Sequence, residues 1–276
     1  MTISQYVVWF MLFSFLGWVY ECLYATIRTG KWDNRGFLFG PICPIYGAGV
    51  VLALIAFDNE LVASGAFPLW AVFIVSMIGS AVLEYVSSYL LERIFHARWW
   101  DYSDRLFNIN GRVCLSASVF FGLAGVLVAV FLVPATHWVA DIIPPIIFEA
   151  LALILTTILV ADTTLAVSAL TELVSKVETI NDEFNTRIEE ARQSASESMG
   201  SFTSRLSSLD TFSGELIREL TSSMNVRQKH VLASVRHFRS EKITDIANRA
   251  MEILSKANGF TNRLDKTSDE DGKPDG

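Results

Sequence analysis

Long apolar runs decide what this chain can be, and all of them lie before residue 170. Five stretches qualify, at residues 6–27, 37–57, 69–91, 113–133 and 142–161. Each approaches the roughly 20 apolar residues that carry a helix across a bilayer. The remainder of the chain is polar. Of its 22 Lys and Arg, seven lie at or before Arg112, and the other fifteen follow residue 165. The predicted fold class is therefore all-α, a polytopic membrane protein with five transmembrane helices in a domain over residues 1–165. A cytoplasmic helical, coiled-coil-like region is expected over 166–264, and a disordered acidic tail over 265–276.

The loops between the runs predict an orientation. Loop 28–36 holds Arg28, Lys31 and Arg35, and loop 92–112 holds Arg93, Arg98, Arg105 and Arg112. Loops 58–68 and 134–141 hold no Lys or Arg. Basic loops stay on the cytoplasmic side. The pattern places the N-terminus outside and the C-terminal region inside, in the cell (plasma) membrane, and needs an odd number of crossings. Trp70 and Trp138 then fall near the outer interface, and Trp32, Trp99 and Trp100 near the inner one, where amphipathic rings settle.

One stretch behaves unlike the apolar runs around it. Gly30 to Gly49 reads GKWDNRGFLFGPICPIYGAG. Pro41 and Pro44 remove backbone donors, and Gly40 and Gly47 loosen the chain, so an ordinary helix does not start here. Irregular backbone at membrane depth persists only where protein or a water-filled cavity covers it. A loop and a broken helix start, lining something polar, are expected.

Other function classes find little support. The net charge of −7 and the lack of a dominant basic stripe argue against a nucleic-acid partner. Cys22, Cys43 and Cys114 lie in or beside apolar runs, without metal-ligand spacing, and read as buried free thiols. His96, His137, His230 and His237 form no credible metal site, and no cofactor is expected. A cleaved signal peptide is not expected, since no basic segment precedes Tyr6 and no small-residue cleavage site follows before Arg28. The Walker A, Gly-x-Ser-x-Gly and His-Glu-x-x-His patterns do not occur. Any ATP-driven step therefore needs another chain.

Ionisable side chains within the runs are the sharpest signals, because each costs about 2.5–3.5 kcal/mol at mid-helix on insertion scales. Glu21, Glu84, Glu149 and Asp162 qualify. Glu21, Glu84 and Asp162 are expected at similar depth near the cytoplasmic side, with Arg28, Arg35 and Arg112 arriving from the same side. Gly17, Glu21, Tyr24 and Arg28 share one helical face, as do Glu84 and Ser88. Two readings stand: arginines paired with acids around a cavity, or a structural ion-pair cluster locking the helices together. Glu149, after Pro144-Pro145, is expected in the outer half. Gly122 and Gly125 are expected at a close helix–helix approach.

The two basic hairpins resemble each other. Glu21 precedes Trp32-Asp33 and Asn34-Arg35-Gly36, as Glu84 precedes Trp100-Asp101 and Asn110-Gly111-Arg112. Either a parallel internal repeat or shared loop chemistry accounts for this. Beyond residue 165, Leu170, Leu173, Val177, Ile180 and Phe184 recur at spacings of three and four, the seam of an amphipathic or coiled-coil helix. Residues 194–213 are Ser-rich. Apolar spacing resumes with Leu216, Leu220, Met224 and Val231, then Ile243, Ile246 and Ile253.

Several of these pieces form a specific motif set over roughly residues 5–165: Phe15-Leu16-Gly17-Trp18-Val19-Tyr20-Glu21, Asn34-Arg35-Gly36-Phe37-Leu38, Gly40-Pro41, Cys43-Pro44-Ile45-Tyr46-Gly47, Trp99-Trp100-Asp101-Tyr102-Ser103, and Asn108 with Asn110-Gly111-Arg112. The set resembles the ABC-transporter type IV family, bacterial multi-pass membrane proteins regarded as transporter permeases. The resemblance implies a permease-like subunit that moves or binds a small solute, with energy from a separate ATPase partner or from an ion gradient. It carries over Glu21, Asn34, Arg35, Gly36, Trp100, Asp101, Tyr102, Asn110, Gly111 and Arg112. With Glu84 and Asp162 from the membrane acids, the candidate polar cluster is Glu21, Asn34, Arg35, Glu84, Trp100, Asp101, Tyr102, Asn110, Arg112 and Asp162. Alternative readings are a membrane-anchored scaffold or sensor, homo-oligomeric through its cytoplasmic coiled coil, and an integral-membrane enzyme with Glu21 or Asp101 as acid or base. A non-enzymatic role is the expectation.

Overall fold

The computed structural model describes residues 1–30, 36–57, 67–195, 222–235 and 237–238. Helix dominates. The helices are α1 (Ile3–Thr29), α2 (Pro44–Ala56), α3 (Leu69–Phe95), α4 (Leu115–Leu127), α5 (Val133–Ile142), α6 (Pro145–Ala195) and α7 (Val226–Ser234). A π-helical turn, Val128–Leu132, joins α4 to α5. Four two-residue strands complete the order: β1 (Ala97–Arg98), β2 (Asn108–Ile109), β3 (Val113–Cys114) and β4 (His237–Phe238).

Helix α1 begins in a capping box. Thr2 accepts from the Gln5 N–H, and the Gln5 side chain accepts from the Thr2 N–H at 2.8 Å. It ends at Gly30, whose left-handed φ of 69° turns its N–H back to the Thr26 carbonyl. Its 27 residues exceed a bilayer's hydrocarbon thickness. Helix α2 packs on α1 through small residues. A Cβ on Gly17 would collide with the Tyr46 side chain, and one on Gly47 with Ser14 and the Phe10 carbonyl. Gly122 and Gly125 of α4 play the same part against Phe73, Met77 and Ser76 of α3.

Among the described residues four helical stretches, rather than five, are long and apolar enough to cross a membrane: Ile3–Arg28, Leu69–Phe95, Leu115–Ile142 and Pro145–Thr179. The second predicted span, 37–57, is helical only over Pro44–Ala56. Those 13 residues make about 20 Å of helix at roughly 1.5 Å per residue, short of a roughly 30 Å hydrocarbon core. The shortfall follows from Gly40, Pro41 and Pro44, which leave 36–43 irregular, with Pro44 opening the helix at a position where its missing N–H costs nothing. Protein covers this segment: Leu38 is 1% exposed and Ile42 6%.

The predicted end of the fourth run at residue 133 is also corrected. Pro134 would clash with the Val130 carbonyl in a straight α-helix. Instead the helix widens just before it. The Val133 N–H reaches back to the Val128 carbonyl, and helix continues to Ile142. Residues 134–141, expected as a loop, are therefore helical.

The chain divides into two units, Met1–Ile94 with Arg98–Val167, and Phe95–Ala97 with Ser168 onward. In the first, one apolar cluster gathers Trp9, Phe13, Leu54, Val133 and Phe148, and another Met11, Leu38, Ile42 and Ala166. Large apolar side chains also face outward along the spans, as with Trp70, Leu153 and Phe131, a surface suited to lipid. In the second unit, Leu170, Leu173 and Val177 are fully buried, as are Val231 and Leu232 of α7. Gln228, also fully buried, donates to Glu172 at 3.0 Å and accepts from Lys176 at 3.3 Å. These three seam positions are thus covered within the single chain. The side chains of Ile180 and Phe184, residues 196–221 and residues 239–276, the acidic tail among them, lie outside the described residues, as do 31–35.

Candidate functional site

The site is built where the 97–114 hairpin meets α3. Strands β2 and β3 pair antiparallel, Asn108 with Cys114 and Ile109 with Val113. Between them Asn110 and Gly111 both take left-handed φ values, 55° and 68°. The Arg112 N–H closes the turn on the Ile109 carbonyl at 3.0 Å. This is the geometry that Asn-Gly favours in tight hairpins. Gly111 is needed twice over, because a Cβ there would also meet Asp101 Oδ1 and Ser103 Oγ. The Tyr102 N–H donates to the Gly111 carbonyl at 2.8 Å, and Trp100 Nε1 to the Arg112 carbonyl at 3.0 Å, so the loop folds onto its own turn. Asp101 accepts from the Ser103 N–H at 2.9 Å.

Glu92 anchors the hairpin to α3. It pairs with Arg98 and, at 2.9 Å, with Arg112 Nη2. Arg98, 1% exposed, also donates to the Asn110 carbonyl at 3.0 Å. The Arg112 guanidinium lies over the rings of Tyr85 and Tyr89, 5.3 and 5.4 Å from their centroids. Burial works against its charge, but Glu92 and Tyr85 together hold its pKa above the usual range. Asn110 Nδ2 donates to the Tyr85 hydroxyl at 3.0 Å. Sequence reasoning missed Glu92 as the partner. The signal was available: Tyr85, Tyr89 and Glu92 recur at i, i+4 and i+7 on one face of α3.

Two membrane acids meet tyrosine hydroxyls. Glu21 accepts from Tyr46 of α2. Glu84 accepts from Tyr102 of the hairpin at 3.3 Å. Burial pushes the Tyr102 phenol well above its ordinary pKa, and the charges of Glu84, Cys114 and Glu21 add to the shift. Glu84 of α3 thus holds the Tyr102 hydroxyl directly, while Glu21 of α1 acts on the same phenol through its charge and accepts its hydrogen bond from Tyr46. The second Glu84 oxygen, Oε2, and Ser88 Oγ, one turn along the same face, are buried without a hydrogen-bond partner among the described residues. Cys22, Cys43 and Cys114 are buried free thiols.

The third expected acid goes elsewhere. Asp162 on α6 accepts from the Phe39 and Gly40 N–H groups, 2.9 Å each. It closes the irregular 36–43 backbone rather than joining Glu21 and Glu84. That segment touches the hairpin through Phe37 and Trp99, edge to face at 5.1 Å. Of the sequence-predicted residues, Glu84 and Tyr102 are brought together, Glu21 is held by Tyr46, and Trp100, Asp101, Asn110 and Arg112 build the hairpin beside Tyr102. The expected pairing of Arg112 with a mid-span acid is replaced by its pairing with Glu92 near the end of α3. Arg28 is exposed. Asn34 and Arg35 lie outside the described residues, and with them the comparison of the two hairpins. Glu149 is exposed on α6.

Comparison with curated proteins gives no match, and comparison with solved structures gives none either. The family whose description reads "Putative ABC-transporter type IV" matches residues 8–167, which take in α1, the irregular segment, the hairpin and the Asp162 bond, and this chain belongs to that family.

Proposed function

We propose that the chain is the permease subunit of an ABC-type transporter, with a polar site in the cytoplasmic half of its membrane domain. The observation that carries this reading is the pairing of two membrane acids from different spans with tyrosine hydroxyls, Glu84 with Tyr102 of the 97–114 hairpin and Glu21 with Tyr46 of α2. Carboxylates are retained inside a membrane domain where something uses or neutralises them. Asn34 and Arg35 are assigned to the same side of the membrane. Residues 36–57 make a fifth crossing whose first part is irregular, because only then do both basic loops face the cytoplasm. The N-terminus is then outside and the C-terminal region inside, and the chain has no catalytic residues of its own. Affinity purification from the native membrane tests this: an ATPase subunit recovered in stoichiometric amount supports it, and a preparation devoid of one overturns it.

A second reading, a membrane-anchored scaffold or sensor, has one observation behind it. Helix α6 runs 51 residues without a break, well past its apolar part. Homo-oligomers of such a scaffold would need surfaces other than Leu170, Leu173 and Val177. Recovery of signalling or structural proteins in place of the ATPase would favour it.

A further inference from the structure

Glu84 is 7% exposed, and no described cationic side chain touches it. Its Oε1 accepts one tyrosine hydroxyl, Tyr102, and its Oε2 accepts nothing among the described residues. Ser88, 3% exposed and one turn further along the same face of α3, also leaves its Oγ without a partner. Buried polar atoms in native structures are satisfied, so two such atoms on one face point to a group that completes them. That group is positively charged, because a buried carboxylate must be paired or neutralised. The surrounding groups agree. The groups that act on Glu84 are Tyr102 of the hairpin, through its hydroxyl, and Glu21 of α1, itself held by Tyr46 of α2; none of them is cationic. The five described arginines on this side do not supply the charge: Arg98 and Arg112 are engaged by Glu92, and Arg28, Arg93 and Arg105 are exposed.

The donors are one open carboxylate oxygen, one serine hydroxyl and a second carboxylate held by Tyr46. That falls short of the six to eight oxygens that calcium takes. No group of three or more His, Cys, Asp or Glu fit to hold a metal ion occurs among the described residues. A single charge is what the set can balance.

We propose that Glu84 and Ser88, with Glu21 beside them, bind one monovalent cation, a proton or a sodium ion, within the membrane domain. This rests on the polar site assigned above and names its ligand. A cation bound there neutralises the carboxylate and gives the orphaned oxygens their partner. In a permease, its binding and release link the site to a proton or sodium gradient.

The test uses the purified full chain in detergent, with melting temperature measured from pH 5 to 9 in choline chloride and in sodium chloride. Protons bound by the folded site stabilise it at low pH, so the melting temperature in choline falls as pH rises through the site's affinity for the proton. For a sodium site, millimolar sodium restores the high-pH melting temperature; for a proton site, sodium does nothing that choline does not. Glu84→Gln, checked by circular dichroism and gel filtration, flattens both responses. Ser88→Ala, which leaves the carboxylate in place, raises the sodium concentration for half effect several-fold or moves the pH midpoint. Glu149→Gln, on an exposed face, responds as wild type. If wild type, Glu84→Gln and Ser88→Ala share the same pH and sodium responses, the cation site is overturned. An ATPase partner without an ion response removes only the cation; an ion response without an ATPase partner removes only the permease.

Discussion

Asp162 and Gly40 are 122 residues apart in sequence, yet the Asp162 Oδ2 accepts from the Gly40 N–H at 2.9 Å and stands 2.9 Å from where a Cβ on Gly40 would lie. The same carboxylate takes the Phe39 N–H through Oδ1. A segment that cannot be helical is thereby supplied with acceptors from another span. Asp162→Ala strands both donors, at about 1–3 kcal/mol for each buried group left unsatisfied. Asp162→Asn keeps one acceptor and is expected to lose less. Thermal unfolding of the two variants in detergent checks this, and equal loss from both would contradict it.

Glu92 is expected to matter more for stability than either mid-span acid. Glu92→Ala leaves the buried Arg98 without its carboxylate, a change that typically costs about 3–5 kcal/mol. Arg112→Ala costs less, because Arg98 still holds Glu92. Expression and unfolding of the two variants in parallel give the comparison. A milder effect from Glu92→Ala than from Arg112→Ala would show that the hairpin is anchored some other way.

The α1–α2 contact has no room for side chains at Gly17 or Gly47. Gly47→Val is expected to destabilise by about 1–3 kcal/mol, the usual cost of overpacking, or to prevent folding. Gly79→Ala is the control, since nothing lies within 4 Å of a Cβ there. The measure is the yield of monodisperse protein, and a Gly79 variant that suffers as badly as Gly47 would argue against a close helix approach.

Reporter fusions separate four crossings from five. Fusion at residue 62 is expected to report outside, and fusion at residue 180 inside. If α2 turns back without crossing, the reporter at 62 lies in the cytoplasm instead.

The tyrosine partners of the acids give a further check. Tyr102→Phe removes the hydroxyl that Glu84 accepts and is expected to cost about 1 kcal/mol, the usual net contribution of one hydrogen bond. Glu21→Ala should damage folding or transport far more than Glu189→Ala. A Glu21 variant as well tolerated as the Glu189 one would remove the polar cluster from the mechanism.

Much of the site was written locally. Gly40, Pro41 and Pro44 announced a broken helix start, because that depends on backbone preferences that neighbouring residues settle. Glu21 and Glu84 stood out because charge inside an apolar run is costly wherever it occurs. The fourth run was expected to end at residue 133 and instead continues past Pro134, because whether a proline ends a helix or is absorbed by a wider turn depends on what packs around it. Glu92 was overlooked because a charge near a helix end reads as solvated until a hairpin folds over it.

Sequence by itself determined where the apolar runs lie, which backbone could not be regular and which acids sat in apolar surroundings, since hydrophobicity and φ restriction act within a few residues. Only the tertiary structure decided the partners: Asp162 for the Phe39 and Gly40 amides, Glu92 for two arginines, and tyrosine rather than arginine for Glu21 and Glu84. Electrostatic pairing depends on distances of a few ångströms between residues from 6 to 123 positions apart, and those distances exist only once the helices and the hairpin have packed.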